Sequence, residues 1–267
     1  MSATPARSDP VRFSPTRSPF SWLLQREVVR YLRIWHYSIA GQVLSPVMLL
    51  LVFGFALSDK VTVAGGIPYR QFIMPGLIAQ TLMLCGYING TTSLFDARRD
   101  HYINDVLASP LRWWEINLAC VLAAVIRGII TGGIVAAIGF AIVGGSVQLP
   151  LVLIVGAAAI LIVSGQAGVI GGVYVKTMDQ NIFLQTLVVQ PLTFLGGTFY
   201  EVSALPPVWA ALTHVNPVFY AVQALRISFL GSADIPAGTD LAVLWGMALL
   251  LSAWSLLLFR SGRRLKD

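Results

Sequence analysis

Charge is scarce in this chain: only 11% of its 267 residues are charged. Over the half between residues 128 and 259, the charged side chains stand between long apolar runs, and they are Lys176, Asp179, Glu201, Arg226, Asp234 and Asp240. A water-soluble protein with so few charges would present a large adhesive surface to its neighbours. The composition therefore excludes a soluble domain and predicts an integral membrane protein.

Motifs for catalysis and nucleotide binding are also missing. None of the three lysines follows a glycine, so the phosphate-binding pattern G-x-x-x-x-G-K is absent. Cys85 and Cys120 lie in apolar stretches and the three histidines are far apart, so no metal-ligand spacing occurs. Carboxylates are absent from the interiors of the apolar runs, which leaves no relay for coupled proton or sodium movement. We expect no enzyme activity, metal or cofactor in this chain.

What the chain does contain is six apolar runs of roughly 20 residues or more, the length that crosses a bilayer as a helix. They are too long and too continuous for the strands of a membrane β-barrel, which alternate over about 10 residues. We predict an all-α integral membrane protein with six transmembrane helices, at 39–57, 72–95, 117–144, 151–175, 182–200 and 241–259. The glycines within these runs predict close helix packing.

Lysine and arginine are distributed unequally between the two sides that six such helices create. They precede the first helix, follow the second and fourth, and follow the last, whereas only Lys60, Arg70 and Arg226 fall on the opposite side. Because loops rich in these residues stay in the cytoplasm, both termini are expected there, in a bacterial inner membrane. The formal charge of +6 then faces anionic membrane lipids, and no nucleic-acid partner is expected.

Ahead of the first span, residues 1–18 are expected to form a disordered cytoplasmic tail, with the membrane domain covering 19–267. Residues 22–35 have a tryptophan at each end and fit a helix lying in the cytoplasmic interface. Its arginine face has Arg26, Arg30 and Arg33, and its apolar face has Leu24, Val28, Leu32 and Trp35. The helix is either a simple anchor or a lever that acts on the first span.

The loop between the second and third spans contains an apolar ridge. Its first half fits a short helix on which Tyr102, Ile103, Val106 and Leu107 share one face. Ser109 and Pro110 fit the cap and first turn of a following helix. An apolar ridge in the cytoplasm needs a partner, and the mixed charges around this one favour another protein over lipid headgroups.

The segment between the fifth and sixth spans contains two helix starts. A Pro-Pro step and an Asn-Pro step predict short helices at 206–214 and 217–230. At 1.5 Å per residue they are about 14 and about 21 Å long, too short to cross a hydrocarbon core of about 30 Å. Because they are apolar, we expect them to be re-entrant or to lie in the outer leaflet, with Arg226 and Glu201 placed to pair.

Arg127 stands alone near the middle of the third predicted span. A lone arginine there contacts substrate, pairs within the protein, or reaches back to the cytoplasmic interface. The span is longer than a bilayer requires, so Arg127 lies about two to three turns from the cytoplasmic end. This position favours a structural pair or snorkelling over substrate contact.

Three stretches of the sequence resemble a known family. The most specific is PLTFLGGTFYEVSALPPVWAALTHVNPVFYAVQALRISFLG at 191–231, followed by FIMPGLIAQ at 72–80 and NDVLASPLRWWEI at 104–116. Together they are similar to permease subunits of the type-2 ATP-binding-cassette (ABC) exporters, which move polysaccharides, lipid-linked glycans and antibiotics out of bacteria. The resemblance covers nearly the whole chain after about residue 20.

The resemblance implies a homodimer around a central pathway, in which each copy docks onto a separate ATPase subunit that holds ATP and magnesium. The loop at 98–110 would be the coupling helix, and Lys176 with Asp179 would make a second ATPase contact. The coupling residues would be Tyr102, Ile103, Asp105, Val106, Leu107, Ser109 and Pro110. The outward gate and pathway would include Gly196, Gly197, Phe199, Tyr200 and Glu201.

The function expected from the resemblance is a permease that forms the translocation pathway for an amphipathic, glycan or drug-like substrate. An alternative stays open on the residues themselves: a non-transporting membrane scaffold that uses the same loop to recruit a different cytoplasmic protein. Only the identity of the partner separates these two functions.

Overall fold

The computed structural model describes residues 18–56, 62–63, 66–231 and 233–262. Within these residues the chain is helical apart from loops and one two-stranded antiparallel ribbon, which confirms the all-α membrane fold. The predicted disordered tail lies outside the described residues except for Ser18. That serine caps the first helix instead, because its hydroxyl oxygen accepts a hydrogen bond from the backbone N–H of Ser21 at 3.3 Å.

Short connections join the helices. The longer elements are α1 (Pro19–Arg33), a π-helical turn (His36–Ala40) that continues into α2 (Gly41–Ala56), α3 (Tyr69–Arg99), α4 (Ile103–Ala108), α5 (Trp113–Val143), α6 (Pro150–Tyr174), α7 (Met178–Phe183), a π-helical segment (Leu184–Val189), α8 (Gln190–Leu195), α9 (Pro207–Val215), α10 (Pro217–Leu230) and α11 (Ala237–Ser261). A 3₁₀ turn (Val202–Ala204) precedes α9, and β1 (Thr62–Val63) pairs with β2 (Ile67–Pro68) before α3.

Five helices among the described residues are long and apolar enough to cross a bilayer. They are His36–Ala56, Tyr69–Arg99, Trp113–Val143, Pro150–Tyr174 and Ala237–Ser261. Each matches one predicted span, with ends that differ by a few residues. The longest, α3 and α5, extend beyond the predicted runs because the polar residues at their ends continue the helix into the adjoining loops.

The span predicted at 182–200 was wrong at both ends. Helical structure begins at Met178, which Thr177 caps, and it stops at Leu195 before a turn. In that turn Gly197 has a φ of +81°, a conformation that favours glycine and ends helices. The helical run from 178 to 195 is roughly 27 Å long at about 1.5 Å per residue. Its crossing of the bilayer, and with it the total of six spans, stays a prediction.

Helix α3 lies at the centre of the molecule, packed against α5, α6 and α10. Glycines bring α3 and α6 close together: a Cβ added to Gly90 would lie 2.5 Å from the carbonyl oxygen of Gly165, and one added to Gly168 would lie 2.3 Å from that of Tyr87. In lipid, such small residues let two helix backbones come into van der Waals contact. The predicted glycine packing is therefore confirmed between these helices.

The two short outer helices differ in burial. Only Thr213 is buried in α9, whereas α10 is enclosed by α3, α6 and α11. The side chain of Asn216 caps α10 by accepting a hydrogen bond from the backbone N–H of Val218 at 3.0 Å, and Gly231 ends the helix in a left-handed conformation. Both predicted helix starts are confirmed, but α10 is covered by protein rather than by lipid along most of its length.

Helix α1 packs on the bundle through a face that was not predicted from the sequence. Leu23, Glu27 and Tyr31 are buried, while Leu32 and Trp35 are 41% and 58% exposed. Glu27 faces inward because it has ionic and hydrogen-bonding partners there. Polar pairing, and not apolarity alone, decides which face of α1 packs against the bundle.

The last span begins earlier than predicted, and its first turn includes Asp240. This residue is fully buried. Neither of its carboxylate oxygens has a hydrogen-bond partner among the described residues. The predicted start of the span at 241 had placed Asp240 in the preceding loop.

Candidate functional site

The predicted coupling helix is α4, and its apolar ridge faces the protein interior. Ile103 and Val106 are 5% and 9% exposed, and Val106 packs in a cluster with Leu23 of α1 and Leu94 of α3. The prediction that Ile103 contacts another protein was therefore wrong, since the chain itself covers it, whereas Val106 also lines an open groove between α1 and α4. The side chain of Leu107 lies outside what the structure describes.

Tyr102 joins α4 to α1. The guanidinium of Arg26 lies 3.4 Å from the centroid of the Tyr102 ring, a cation–π contact. Burial raises the pKa of the Tyr102 hydroxyl, so this group stays neutral at physiological pH. Tyr102 thus belongs to the same internal contact as the rest of the ridge.

The helix after α4 begins later than predicted. Ser109 ends α4 instead of starting a new helix, and its hydroxyl donates to the carbonyl oxygen of Val106. Helix α5 starts at Trp113, where the Glu115 carboxylate accepts a hydrogen bond from the backbone N–H of Arg112 at 2.6 Å. A capping carboxylate at the third helical position replaces the expected Ser-Pro start.

The face of α4 that points away from the bundle is polar. Asn104 and Asp105 are exposed there, and Pro110 is exposed just beyond the helix. Beside this face, α1 and α4 border a largely apolar groove of about 600 Å³. Its lining includes Trp22, Leu23 and Val29 of α1 and Asp105 and Val106 of α4. Of the predicted coupling residues, Asp105 and Pro110 are therefore accessible to a partner.

Arg98, at the end of α3, binds the end of α6. Its guanidinium donates hydrogen bonds to the carbonyl oxygens of Gly172, Val173 and Val175, the one to Val173 at 3.0 Å. The last carbonyls of a helix lack partners within it and carry partial negative charge, so a cation is favourable there. Arg98 therefore fastens the base of the α4 loop to α6.

Lys176 and Asp179, the predicted second contact, are exposed just beyond this capped end of α6. Arg98 thus ties together the two loops that were predicted to contact the ATPase. Arg98 was predicted as a topology-setting charge at the start of the coupling loop, and not as a cap of α6. Its bonding role has no sequence signal, because backbone carbonyl oxygens are present at every position of a helix.

A buried ionic network connects α1 to α3 beside the same loop. Glu27 is 2% exposed, accepts a hydrogen bond from the Ser93 hydroxyl at 2.6 Å, and pairs with Arg30 at 3.2 Å. Arg30 also pairs with Asp96 of α3 at 3.0 Å. Because a buried charge is unfavourable unless it is paired, this network fixes α1 against α3. Glu27 was not predicted as a functional residue, although one acidic residue among arginines was a usable signal.

The predicted outward gate is held together by Arg226 of α10. This arginine is 3% exposed, donates a hydrogen bond to the carbonyl oxygen of Gly197 at 2.8 Å, and has its guanidinium 3.9 Å from the centroid of the Phe72 ring. Among the described residues its ion-pair partner is Asp234, at 3.9 Å. The predicted pair with Glu201 was therefore wrong, although Glu201, Arg226 and Asp234 all line one small cavity.

Aromatic contacts surround the rest of the predicted gate. The Phe199 ring lies between those of Phe53 and Phe194, at centroid distances of 5.9 and 5.8 Å. The Tyr69 hydroxyl donates to the Phe199 carbonyl oxygen at 3.0 Å, and the Tyr200 hydroxyl donates to a backbone carbonyl of α8 at 2.9 Å.

Glycine completes the packing of this region. A Cβ added to Gly196 would lie 2.8 Å from a side-chain carbon of Val218, so this glycine lets the end of α8 approach α10. The predicted gate residues are therefore neighbours around the start of α10. Their action as a gate stays a prediction.

Arg127 is bonded within the protein. It is 4% exposed, donates a hydrogen bond to the carbonyl oxygen of Ser38 at 2.7 Å, and lies 5.8 Å from the centroid of the Tyr31 ring. Ser38 belongs to the π-helical turn before α2. Arg127 therefore links α5 to the junction between α1 and α2.

Carboxamide side chains at membrane depth were missed by the sequence analysis. Gln42, Gln80, Gln185 and Gln190 line one cavity, and each lies within a largely apolar run. In the part of the chain that the structure describes, no group of three or more His, Cys, Asp or Glu side chains is arranged to hold a metal ion.

The long apolar helices packed around α3 define a multi-pass membrane protein. Comparison with known proteins gives its family. Residues 18–230 match the family described as ABC-2 type transporter.

Two kinds of relative have similar length. The chain is 32% identical to inner membrane transport permease YadH of Escherichia coli (strain K12) over 244 residues, 91% of this chain and 94% of the relative. It is 28% identical to nodulation protein J of Sinorhizobium fredii (strain NBRC 101917 / NGR234) over 249 residues, 88% of this chain and 87% of the relative. Nodulation protein J of Rhizobium meliloti (strain 1021) is 24% identical over 242 residues, 84% and 87% of the two chains. The chain belongs to the ABC-2 type transporter family and is a transmembrane transport permease subunit of the inner membrane.

Proposed function

We propose that two copies of this chain form the pathway of an ABC exporter and that a separate ATPase subunit drives each copy through α4. Both termini then lie in the cytoplasm, with α4 and the Lys176–Asp179 loop on the ATPase side. ATP and magnesium belong to the ATPase subunit. The substrate is an amphipathic, glycan or drug-like molecule that leaves the cell.

The observation that carries this proposal is the way α4 packs against the bundle on one side and is exposed on the other. Its inner side is buried against α1 and α3 through Ile103 and Val106, while Asn104 and Asp105 remain exposed beside a groove. A helix that is fixed on one side and open on the other can transmit a push from a partner to the bundle without bending. The family membership supports an ATPase as that partner.

Co-purification of the ATPase subunit from the native membrane tests the proposal. We expect about one ATPase per chain, and we expect Asp105→Arg to weaken this association while leaving the melting temperature of the chain unchanged. Asp105→Asn, which removes the charge but keeps the shape, is the matched variant and should retain most of the association. Val106→Asp should act differently, by unfolding the contact between α4 and α1, because it places a charge in an apolar cluster.

Retention of the ATPase by Asp105→Arg at the level of the unchanged chain would contradict docking through the exposed face of α4. Recovery of a cytoplasmic partner that neither binds nor hydrolyses ATP would favour the scaffold function instead.

A further inference from the structure

The groove between α1 and α4 is open next to the point where the described chain begins. Pro19 and Trp22 line it at the start of α1, Val29 lines it further along the same helix, and Asp105 and Val106 line it from α4. Trp22 is 60% exposed, so the described residues leave a large aromatic surface uncovered in this groove. An open apolar surface of this kind is typical of a binding site for another segment of protein.

The groove also offers one charge to a partner. Asp105 is exposed, and its carboxylate forms no ion pair among the described residues. The other charged residue of the lining is Arg26, whose guanidinium already lies 3.4 Å from the centroid of the Tyr102 ring. The groove therefore fits an apolar segment that carries a cation.

The sequence just ahead of α1 has this chemistry. In VRFSPTR at 11–17, Val11, Phe13 and Pro15 alternate with polar residues, and Arg17 continues the alternation. In an extended chain, alternate side chains point to the same side, so these four would share one face. That face is apolar and ends in a guanidinium, which matches the apolar groove and its free carboxylate.

The connection to α1 places this segment within reach of the groove. Ser18 has an extended backbone, with φ −65° and ψ 148°, as residues before proline usually have, and Ser14 also precedes a proline. Pro19 and Val29 stand roughly 15 Å apart along α1 at about 1.5 Å per residue. Phe13 is five residues ahead of Ser18, and at about 3.3 Å per extended residue it reaches roughly 16 Å, the length of the groove.

We propose that residues 11–17 bind in the groove between α1 and α4 as an extended segment, with the Phe13 ring against Trp22 and the Arg17 guanidinium against Asp105. Because the segment belongs to the same chain, its effective concentration at the groove is high and weak contacts suffice. The bound segment covers Asp105, which lies on the face of α4 proposed to bind the ATPase, so the segment and the ATPase compete. This competition rests on the proposed function, whereas the binding of the segment does not.

Trypsin digestion of the purified full chain in phosphatidylcholine nanodiscs tests the binding. Trypsin cleaves after Arg7 and after Arg12, and only the second bond lies within the bound segment, so the first is an internal control. Each rate is measured by mass spectrometry and divided by the rate for a synthetic peptide of residues 1–18 with the same substitution. We expect cleavage after Arg12 to be roughly tenfold slower than after Arg7 on this scale, because cleavage follows the population of the unbound segment.

One variant on each side of the contact should remove this protection. Phe13→Ser and Trp22→Ser should each bring cleavage after Arg12 to the rate after Arg7, because each deletes one of the two aromatic partners. The matched control is Trp35→Ser: Trp35 is 58% exposed, close to the 60% of Trp22, but does not line the groove. Its protection should equal that of the unchanged chain.

Three results would overturn the binding. The first is equal cleavage after Arg7 and Arg12 in the unchanged chain. The second is protection that survives both Phe13→Ser and Trp22→Ser. The third is protection that appears only when anionic lipid is added to the nanodiscs, since the arginines would then be bound to the membrane surface.

The competition with the ATPase has a separate test. If the groove is free for about a tenth of the time, deletion of residues 2–17 should strengthen binding of the ATPase subunit roughly tenfold. Deletion of residues 2–9 is the matched control, since it shortens the chain but keeps the bound segment, and it should leave the affinity unchanged. Equal affinities of the two shortened chains would overturn the competition. Failure of any ATPase to bind would overturn the proposed function and the competition together, while digestion of the chain alone would still decide the binding.

Discussion

At the scale of single residues, arginines fix the structure at both ends of α3. Arg98 holds the end of α6 through three backbone carbonyls, and Arg226 holds the Gly197 turn and stacks on Phe72. Both guanidinium groups bond mainly to backbone carbonyl oxygens, which are present whatever the sequence. Their functions therefore depend on tertiary geometry.

Arg98→Met should destabilise the chain by about 2–3 kcal/mol, because hydrogen bonds from a charged group to partly buried acceptors each contribute about 1.5–3 kcal/mol and are not additive. The measurement is the free energy of unfolding in detergent. The control is Arg99→Met, since Arg99 is 56% exposed and forms only surface ion pairs, which contribute about 0–1 kcal/mol. Similar losses in the two variants would show that Arg98 does not cap α6.

Arg226→Met should loosen the outer segment by removing the bond to Gly197 and the contact with Phe72. We expect faster cleavage of the turn after α8 by protease added from outside, with the membrane spans left intact. Arg226→Lys should protect only partly, because an ammonium group keeps the charge but lacks the planar donor geometry of guanidinium. Unchanged cleavage in Arg226→Met would contradict this role of the arginine.

Local sequence rules predicted some residues well and others badly. The Asn-Pro step at 216–217 fixed the start of α10, since a side-chain cap and a first-turn proline act within a few residues. The ridge of Ile103 and Val106 was predicted correctly as a ridge, but the chain itself covers Ile103. Periodicity shows which side chains share a face, and it does not show what covers that face.

At the scale of elements, the contact between α3 and α6 depends on glycines. Gly168→Ala would place a methyl group against the Tyr87 carbonyl, and forcing such a contact into packed helices destabilises by about 1–3 kcal/mol. Gly133→Ala in α5 is the matched control, because nothing lies within 4 Å of its added Cβ. That change should stabilise the helix by about 0.5–1 kcal/mol. The measurement is the unfolding free energy in detergent, and equal effects of the two changes would contradict the packing.

The five longest apolar runs were predictable because length and composition alone select a helix in lipid. The run from 178 to 195 was predicted with the wrong ends, because its start depends on the cap at Thr177 and its end on the φ of Gly197. The inward turn of α1 was also unpredictable. It results from Glu27 meeting Ser93 and Arg30, a contact between distant parts of the chain.

At the scale of the whole molecule, α3 connects the two regions predicted to function. One end has Arg98 and Asp96, which bind α6 and α1 next to α4, and the other end has Tyr69 and Phe72, which contact the outer segment. If the proposed function holds, we expect movement of α4 to reach the predicted outer segment along this one helix. In the proposed homodimer, we expect such movement in both copies to change the distance between their outer segments.

The most direct test is the distance between spin labels at Val208→Cys in the two copies of the complex with its ATPase, measured by pulsed electron paramagnetic resonance. Val208 is 78% exposed on α9, and Cys85 and Cys120 are buried, so labelling is selective. We expect one distance without nucleotide and a longer one when ATP is bound but not hydrolysed, with Asp105→Arg abolishing the change. A single distance that is the same with and without ATP, in a complex that hydrolyses ATP, would contradict coupling of the ATPase to the pathway through α4.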